Sequence, residues 1–296
     1  MRVSNCIEGA TAHGKGFELL PRMTRKLLLL VVFIASTARA DWRNVAPGVD
    51  YQEYREANYD VHVTRVNVAS DQVRIVVSRE SDKGSKVSDY AKKVNAVAAI
   101  NGDYFDDKFN PVGFTIGPCG PWTNTKDMKR EIVLQIANQH GVLRKRADLG
   151  DTPASDGLDA AISGWPILVN ACKALGAKEL PGSDAFTRSP HPRTALGISD
   201  DGTLIYFVVA DGRRTGVPGL TLAELAQFMA DKLSVCSAMN LDGGGSAAMW
   251  VGDRIVNRPS DGVERPVGDH VAVVLRRDFN GCNNAPPQTT SSATQK

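Results

Sequence analysis

The sequence predicts an α+β fold: one domain built mainly on antiparallel or mixed β-sheet, with a few helices packed on it. Three observations carry this. Short apolar segments, several of them alternating with polar residues, recur between turn residues along most of the chain. Clear helical spacing is confined to two stretches. No linker-like composition interrupts residues 41–283, so they read as a single domain.

The elements follow in order. Val61–Val68 and Gln72–Ser78 alternate around an Ala69-Ser70-Asp71 turn and read as an antiparallel hairpin. Val87–Val94 reads as a short helix capped by Ser88, leading into the small-residue strand Ala96–Ile100. Glu131–Ile136 and Gly141–Arg146 make a second hairpin, and Arg146–Gly157 is loop by composition. Thr194–Ser199 and Thr203–Ala210 flank an Asp-Asp-Gly turn as a third. Thr221 with Glu224 forms a capping box, and Leu222, Leu225, Ala226, Met229 and Leu233 share one helical face. Ser237–Leu241 reads as a buried strand, Ala247–Val251 with Arg254–Arg258 as a fourth hairpin, and His270–Arg277 as a last strand. Residues 284–296 form a polar tail of disordered composition. A loose internal echo is visible: helix, apolar strand, Asn-Gly-Asp at 88–103, and helix, apolar strand, Asn-Leu-Asp at 221–242. It predicts two Asn/Asp strand ends presented on one sheet edge.

Of 296 residues, 42% are hydrophobic and 23% charged, and the formal net charge is only +2. That balance excludes a dedicated nucleic-acid binder, which would carry a basic stripe. The N-terminus reads as an address. Arg22, Arg25 and Lys26 precede the apolar run Leu27–Ala40, which ends in Ala38-Arg39-Ala40. This is the pattern of a cleavable signal peptide, short for a membrane span. It predicts a leader at 1–40 (signal peptide about 23–40, with translation starting at Met23), no stable membrane span after cleavage, and a periplasmic or secreted protein. An uncleaved anchor is the competing reading. Export leaves Cys119, Cys172, Cys236 and Cys282 for up to two disulfides. Three connectivities exist, and Cys119–Cys172 with Cys236–Cys282 is the expectation. The cysteine spacings fit no zinc pattern and no dense His/Asp cluster offers ligands for two metals, so no metal or other cofactor is expected.

The stretch Asn240-Leu-Asp-Gly-Gly-Gly-Ser-Ala-Ala-Met249 demands a physical reason, because three glycines weaken any regular element. A serine-nucleophile elbow would need a helix after Ser246, whereas a strand and hairpin follow. A nucleotide P-loop would need a longer spacer and a Lys-Ser/Thr ending. An anion-binding turn remains, its amides converging on phosphate oxygens; a plain hairpin or bulge is the competing reading. Arg193 at a strand start, and Asn257 and Arg265 after another strand, supply partners of the kind phosphate needs.

Taken together, AINGDYF, PRTALGIS, VVADGR, NLDGGGSAAM and NRPSDGVERPVGDHVAVV, in that order, resemble the phosphodiester glycosidase family over residues 55–276. The resemblance implies hydrolysis of a glycosyl phosphodiester; the capping sugar and acceptor do not carry over from the family, an N-acetylglucosamine-like sugar is one candidate, and an envelope or extracellular sugar-phosphate glycoconjugate is the expected substrate class. On that reading Arg193, Arg265, the amides of Gly243, Gly244 and Gly245, and Ser246 hold the phosphate. Asp242 and Asp103 are the catalytic carboxylates, with nucleophile and base left open between them, and Asn101, Asn240 and Asn257 orient sugar or phosphate oxygens. A non-catalytic glycan- or cell-wall-binding protein on the same fold, and a metal-dependent phosphodiesterase, are the alternatives.

Overall fold

A computed structural model describes residues 41–128, 132–150 and 157–282, all within one compact unit spanning residues 40–296. The expected leader and the polar tail lie outside the described residues.

Three sheets, antiparallel in every described pairing, make the domain. The largest has eight strands in the spatial order Arg43–Ala46, Val49–Glu56, Tyr59–Asn67, Leu204–Ala210, Arg193–Ile198, Ser237–Asn240, Ile167–Asn170 and Lys173–Ala174. A five-stranded sheet runs Arg254–Ile255, Met249–Val251, Ala96–Asn101, His270–Leu275, Val73–Val77. A second one runs Gly120–Pro121, Thr115–Gly117, Ala160–Gly164, Ile132–Ala137, His140–Lys145. The three inner faces meet in one core of β-branched and long apolar residues, among them Val66, Ile75, Ile100, Leu134, Ile162, Phe207 and Met249. Alternation explains why: each strand turns every second side chain inward, and the sandwich removes that face from water.

The helix Leu222–Leu233 forms as its capping box predicts. Glu224 N donates to Thr221 Oγ1 (3.2 Å) and Thr221 N to the Glu224 carboxylate (2.8 Å). Its apolar face packs with Val63, Leu168 and Val208 on the outer side of the large sheet. The helix Val87–Val94 covers the first five-stranded sheet through Tyr90 and Ala91. Its N-cap is Lys86, with no capping side chain, and Ser88 lies inside the first turn.

Two other expectations fail on partner choice. Tyr59–Asn67 and Val73–Val77 are both strands, but they do not pair as a hairpin. The first pairs with Leu204–Ala210 and the second with His270–Leu275, so the Asp71 turn carries the chain between sheets. The disulfides are Cys119–Cys282 and Cys172–Cys236. Strand register decides the second. Val169 pairs with Ala238, which brings the turn at Cys172 beside Cys236, and Cys172 N donates to Cys236 O (2.9 Å). No helix among the described residues is long and apolar enough to cross a membrane.

Candidate active site

The two Asn-x-Asp strand ends belong to different sheets, not to one edge as their echo suggested. They meet nonetheless. Asp242 N donates to Gly102 O (3.1 Å), and Asn101 Nδ2 donates to Asp242 O (2.7 Å). This stitches the end of Ser237–Asn240 to the end of Ala96–Asn101 and sets the floor of a cleft of about 510 Å³. Asp242, Asn240 and Gly243–Gly245 form that floor; Arg193, Arg213 and Arg265 supply cations; Tyr104, Phe186 and His191 contribute a ring-rich wall.

Asp242 is half-buried and lines the cleft. Burial raises its pKa above the usual carboxylate value. The Ser246 hydroxyl, a hydrogen bond from the Gly243 amide and the Arg265 cation all pull the other way. Its Oδ1 accepts from Gly243 N at 2.9 Å. Ser246 lies next to it but is buried, and its Oγ makes no formed hydrogen bond.

The glycine run is not a three-amide cradle. Gly243 N is taken by the Asp242 side chain and Gly244 N by Pro192 O (2.9 Å), which leaves only Gly245 N without a partner among the described residues. The glycines serve close approach instead. Gly244 has φ +60°, and a Cβ there would stand 3.0 Å from Arg213 Nη2. A Cβ on Gly245 would stand 2.1 Å from both Arg265 Nη2 and Asp261 Oδ2. Side chains of any size would push the two guanidinium groups off the turn.

The arginines differ in how they are held. Arg193 is buried. Its Nε donates to Leu220 O (2.9 Å) and its Nη2 to Phe186 O (2.6 Å) and Ser189 O (3.1 Å), with the guanidinium over the Phe186 ring. Burial lowers its pKa to about 10, so it stays cationic at neutral pH. Arg265 forks onto the Asp261 carboxylate (2.6 and 3.1 Å) at the cleft rim. Arg213, at φ +57°, donates its backbone N to Pro218 O (3.0 Å), and its guanidinium makes no hydrogen bond or ion pair among the described residues. An unpaired cation held over a glycine turn is the signature of an anion site. Sequence reasoning passed over it because Arg213-Arg214 leaves a strand like any solvated loop pair.

Asn240 and Tyr104 form the junction between floor and wall. Asn240 Nδ2 donates to Tyr104 Oη (2.5 Å), Trp165 O (3.1 Å) and Leu241 O (2.7 Å), while its Oδ1 is buried without a partner. Tyr104 Oη donates to Trp165 O (2.8 Å), and burial with the Asp242 charge raises its pKa, so it stays protonated. Phe186, on the short helix Asp184–Thr187, stacks on Trp165 at 5.5 Å between centroids. Sequence reading missed this 183–191 wall, whose polar composition reads as loop.

Besides the buried Ser246, three of the expected site residues are not brought to the cleft. Asp103 is buried under the following loop: Oδ1 accepts from Tyr104 N (2.8 Å) and Oδ2 from Gly113 N (2.8 Å). Asn101 is buried too, its Oδ1 accepting from Thr194 Oγ1 (2.8 Å) and Ala248 N (3.3 Å). Asn257 joins Met249 N, Ala247 O and Asp211 Oδ1. All three have their polar atoms engaged in positioning the loops that carry the cleft. Beneath Gly102, the buried Asp269 accepts from Asp103 N (2.7 Å) and Thr115 Oγ1 (3.2 Å), and burial pushes its pKa up to about 6.

No cluster of His, Cys, Asp and Glu with metal-binding spacing lies in the cleft among the described residues. Cys172, Asp200 and Cys236 cluster elsewhere, but the disulfide removes both thiolates.

The model of the phosphodiester glycosidase family matches residues 94–274, more than half of the chain and all of the cleft. The chain belongs to the phosphodiester glycosidase family. An N-acetylglucosamine-1-phosphodiester alpha-N-acetylglucosaminidase of Mus musculus is 37% identical over 98 residues, 32% of this chain and 18% of that protein. The SPbeta prophage-derived uncharacterized protein YomE of Bacillus subtilis is 37% identical over 83 residues, 28% of this chain and 13% of its own length. These matches therefore span less than a fifth of either relative. The fold is similar to that of the zebrafish N-acetylglucosamine-1-phosphodiester alpha-N-acetylglucosaminidase catalytic domain auto-inhibited by pro-peptide. There the TM-score is 0.60 at 18% identity, covering 81% of this chain and 84% of that one.

Proposed function

We propose that the protein is an exported hydrolase that cleaves the bond between an anomeric carbon and a phosphate in a glycosyl phosphodiester. The observation that carries this reading is the half-buried Asp242 carboxylate bordered by Arg193, Arg213 and Arg265 in one cleft. A diester enters with one negative charge, and the departing monoester gains a second, because its second pKa is about 6. Cations already fixed around the leaving group stabilise the charge that develops, which lowers the barrier more than it tightens the ground state. A phosphate leaving group so held needs no proton donor, so one carboxylate in the cleft is enough.

Asp242 is the group that acts on the sugar side, by attacking the anomeric carbon or by taking a proton from the attacking water. Retention of configuration marks the first and inversion the second. Arg213 and Arg265, one on each side of the Gly244-Gly245 turn, take the phosphate oxygens, with Gly245 N as the amide donor. Asn240 Oδ1 is a buried acceptor in need of a donor, and a sugar hydroxyl or the amide N–H of an N-acetylated sugar supplies one. Tyr104 and Phe186 offer flat apolar surface for the pyranose ring. The signal-peptide pattern and two disulfides support a periplasmic or secreted location, with an envelope or extracellular glycoconjugate as substrate.

The test is a panel of glycosyl phosphodiesters, including UDP-N-acetylglucosamine and aryl glycosyl phosphodiesters, with and without chelator. Release of free sugar and phosphomonoester, lost in Asp242→Asn, supports the reading. Saturable binding without turnover replaces it with a glycan-binding protein, and loss of turnover with chelator replaces it with a metal-dependent phosphodiesterase.

A further inference from the structure

Away from the cleft lining, the chain assembles a second polar centre that the proposed hydrolysis does not use. The antiparallel register sets Glu53 directly opposite His62, and Asp60 lies two residues before His62 on the same face of the strand. The neighbouring strand ends at Ala210, so that Asp211 follows beside them, its N donating to Asp60 O (2.9 Å). His62 is 2% exposed, and its Nε2 has no hydrogen-bond partner; nor has the buried Asp60 Oδ1. The two atoms face each other at 3.7 Å, and Asp211 Oδ2 stands 4.0 Å from His62 Nε2.

A gap of 3.7 Å is too wide for a hydrogen bond and too narrow for a bridging water with two hydrogen bonds near 2.8 Å each, which would span roughly 4.5 Å. It matches two ligands of one ion. Metal–ligand bonds of about 2.0–2.1 Å at tetrahedral or trigonal angles place the ligand atoms about 3.3–3.6 Å apart.

We infer that Glu53, Asp60 and His62, with Asp211 as the fourth group, form a binding site for a single divalent transition-metal ion of the zinc type. The surroundings suit this ion. His62 Nδ1 is 2.7 Å from Tyr51 Oη, an outer partner that accepts from Nδ1–H in the tautomer whose Nε2 lone pair ligates the ion. Asp60 Oδ2 and Asp211 Oδ2 are steadied by Arg214 Nη2 at 3.2 and 3.0 Å, the outer hydrogen bonds that ligating carboxylates have. One imidazole with carboxylates favours a borderline ion over Ca²⁺ or Mg²⁺, which take oxygen ligands. Entry is from Glu53, whose side chain is 27% exposed. The mouth is closed by Arg55, which bonds Glu53 Oε1 and stands 3.6 Å from Asp60 Oδ1 but is itself 70% exposed and free to swing into water. Held there, the ion ties the hairpin of Val49–Glu56 and Tyr59–Asn67 to the strand end from which Asp211-Gly212-Arg213 departs toward the cleft.

The experiment is calorimetric titration of the chelator-dialysed full chain with Zn²⁺, and with Co²⁺ to read coordination by visible absorption. The expected result is one equivalent bound, with affinity reduced about 10–100-fold in His62→Gln and in Asp60→Asn. Arg55→Ala, which removes a competing cation, tightens binding, and Asp200→Asn leaves it unchanged. Glu53→Gln, outside the core, gives the same weakening if the buried variants fail to fold. No saturable uptake, or uptake indifferent to the Glu53, Asp60 and His62 variants, overturns the inference. Because the readout is metal uptake and not turnover, it stands or falls apart from the proposed hydrolysis.

Discussion

The ends of Ala96–Asn101 and Ser237–Asn240 are built alike and do different work. Each follows a helix, each is a small-residue strand, and each finishes in Asn-x-Asp. At the first end, Asp103 is covered by the loop that returns through Gly113, and both its oxygens accept backbone N–H groups. At the second, Asp242 lines a cleft bordered by arginines. The asparagines divide in the same way. Asn101 has donor and acceptor both engaged, and Asn240 keeps a bare buried oxygen. Local sequence therefore makes the strand end, and the covering segment decides whether its polar groups brace the fold or meet a ligand.

The sharpest way to break this contrast is to exchange each carboxylate for its amide. Asp242→Asn should lower kcat about 10³-fold or more, the scale of a lost reacting group. Because burial holds the Asp242 pKa above its unfolded value, ionisation there opposes folding as pH rises. The amide removes that penalty, and thermal melting at neutral pH should show no fall in Tm. Asp103→Asn should do the reverse. It sets an amide N–H₂ against Gly113 N–H or Tyr104 N–H, costing about 1–3 kcal/mol and lowering Tm by roughly 2–12 °C, while kcat per folded molecule holds within a few-fold. A large loss of kcat in Asp103→Asn at unchanged Tm would erase the distinction.

The charged border of the second end gives smaller effects. Arg213→Gln should raise KM for an anionic diester about 10–100-fold, the worth of one charge-assisted hydrogen bond, with kcat changed less. Gly245→Ala, whose Cβ would overlap Arg265 and Asp261, should mimic the loss of Arg265; wild-type KM in this variant would show that the turn does not hold the clamp. The smallest effect is on pH. Activity falls where Asp242 is protonated, so the acid limb should lie above the ordinary aspartate value near 3.9. Arg265 pulls the Asp242 pKa down, so Arg265→Gln should move that limb to higher pH. A shift to lower pH would remove Arg265 from the Asp242 environment.

How far the sequence could be read follows the range of the interactions. The helices at 87–94 and 222–233 and the hairpins at 132–145 and 193–210 are set by periodicity and turns close in the chain, and they are found where expected. The partners of Tyr59–Asn67 and Val73–Val77 and the disulfide pairs depend on register between distant strands, which alternation does not encode. The site divides similarly. Asp242, Arg193, Arg265, Asn240 and the glycines sit in quoted motifs and line the cleft. Arg213 ends the quoted VVADGR motif, but its place over the glycine turn depends on a left-handed backbone residue. The wall at 183–191 depends on a short helix that no local pattern announces.

Arg193 is hydrogen-bonded by the carbonyls of Phe186, Ser189 and Leu220, and the Phe186 ring is the side chain it lies over. Main-chain oxygens come with every residue type, so apart from Phe186 the 183–191 segment can exchange side chains without removing the hydrogen bonds that hold the cation. On the proposed reading, selectivity for the sugar and recognition of charge are in this way separable traits of the one cleft.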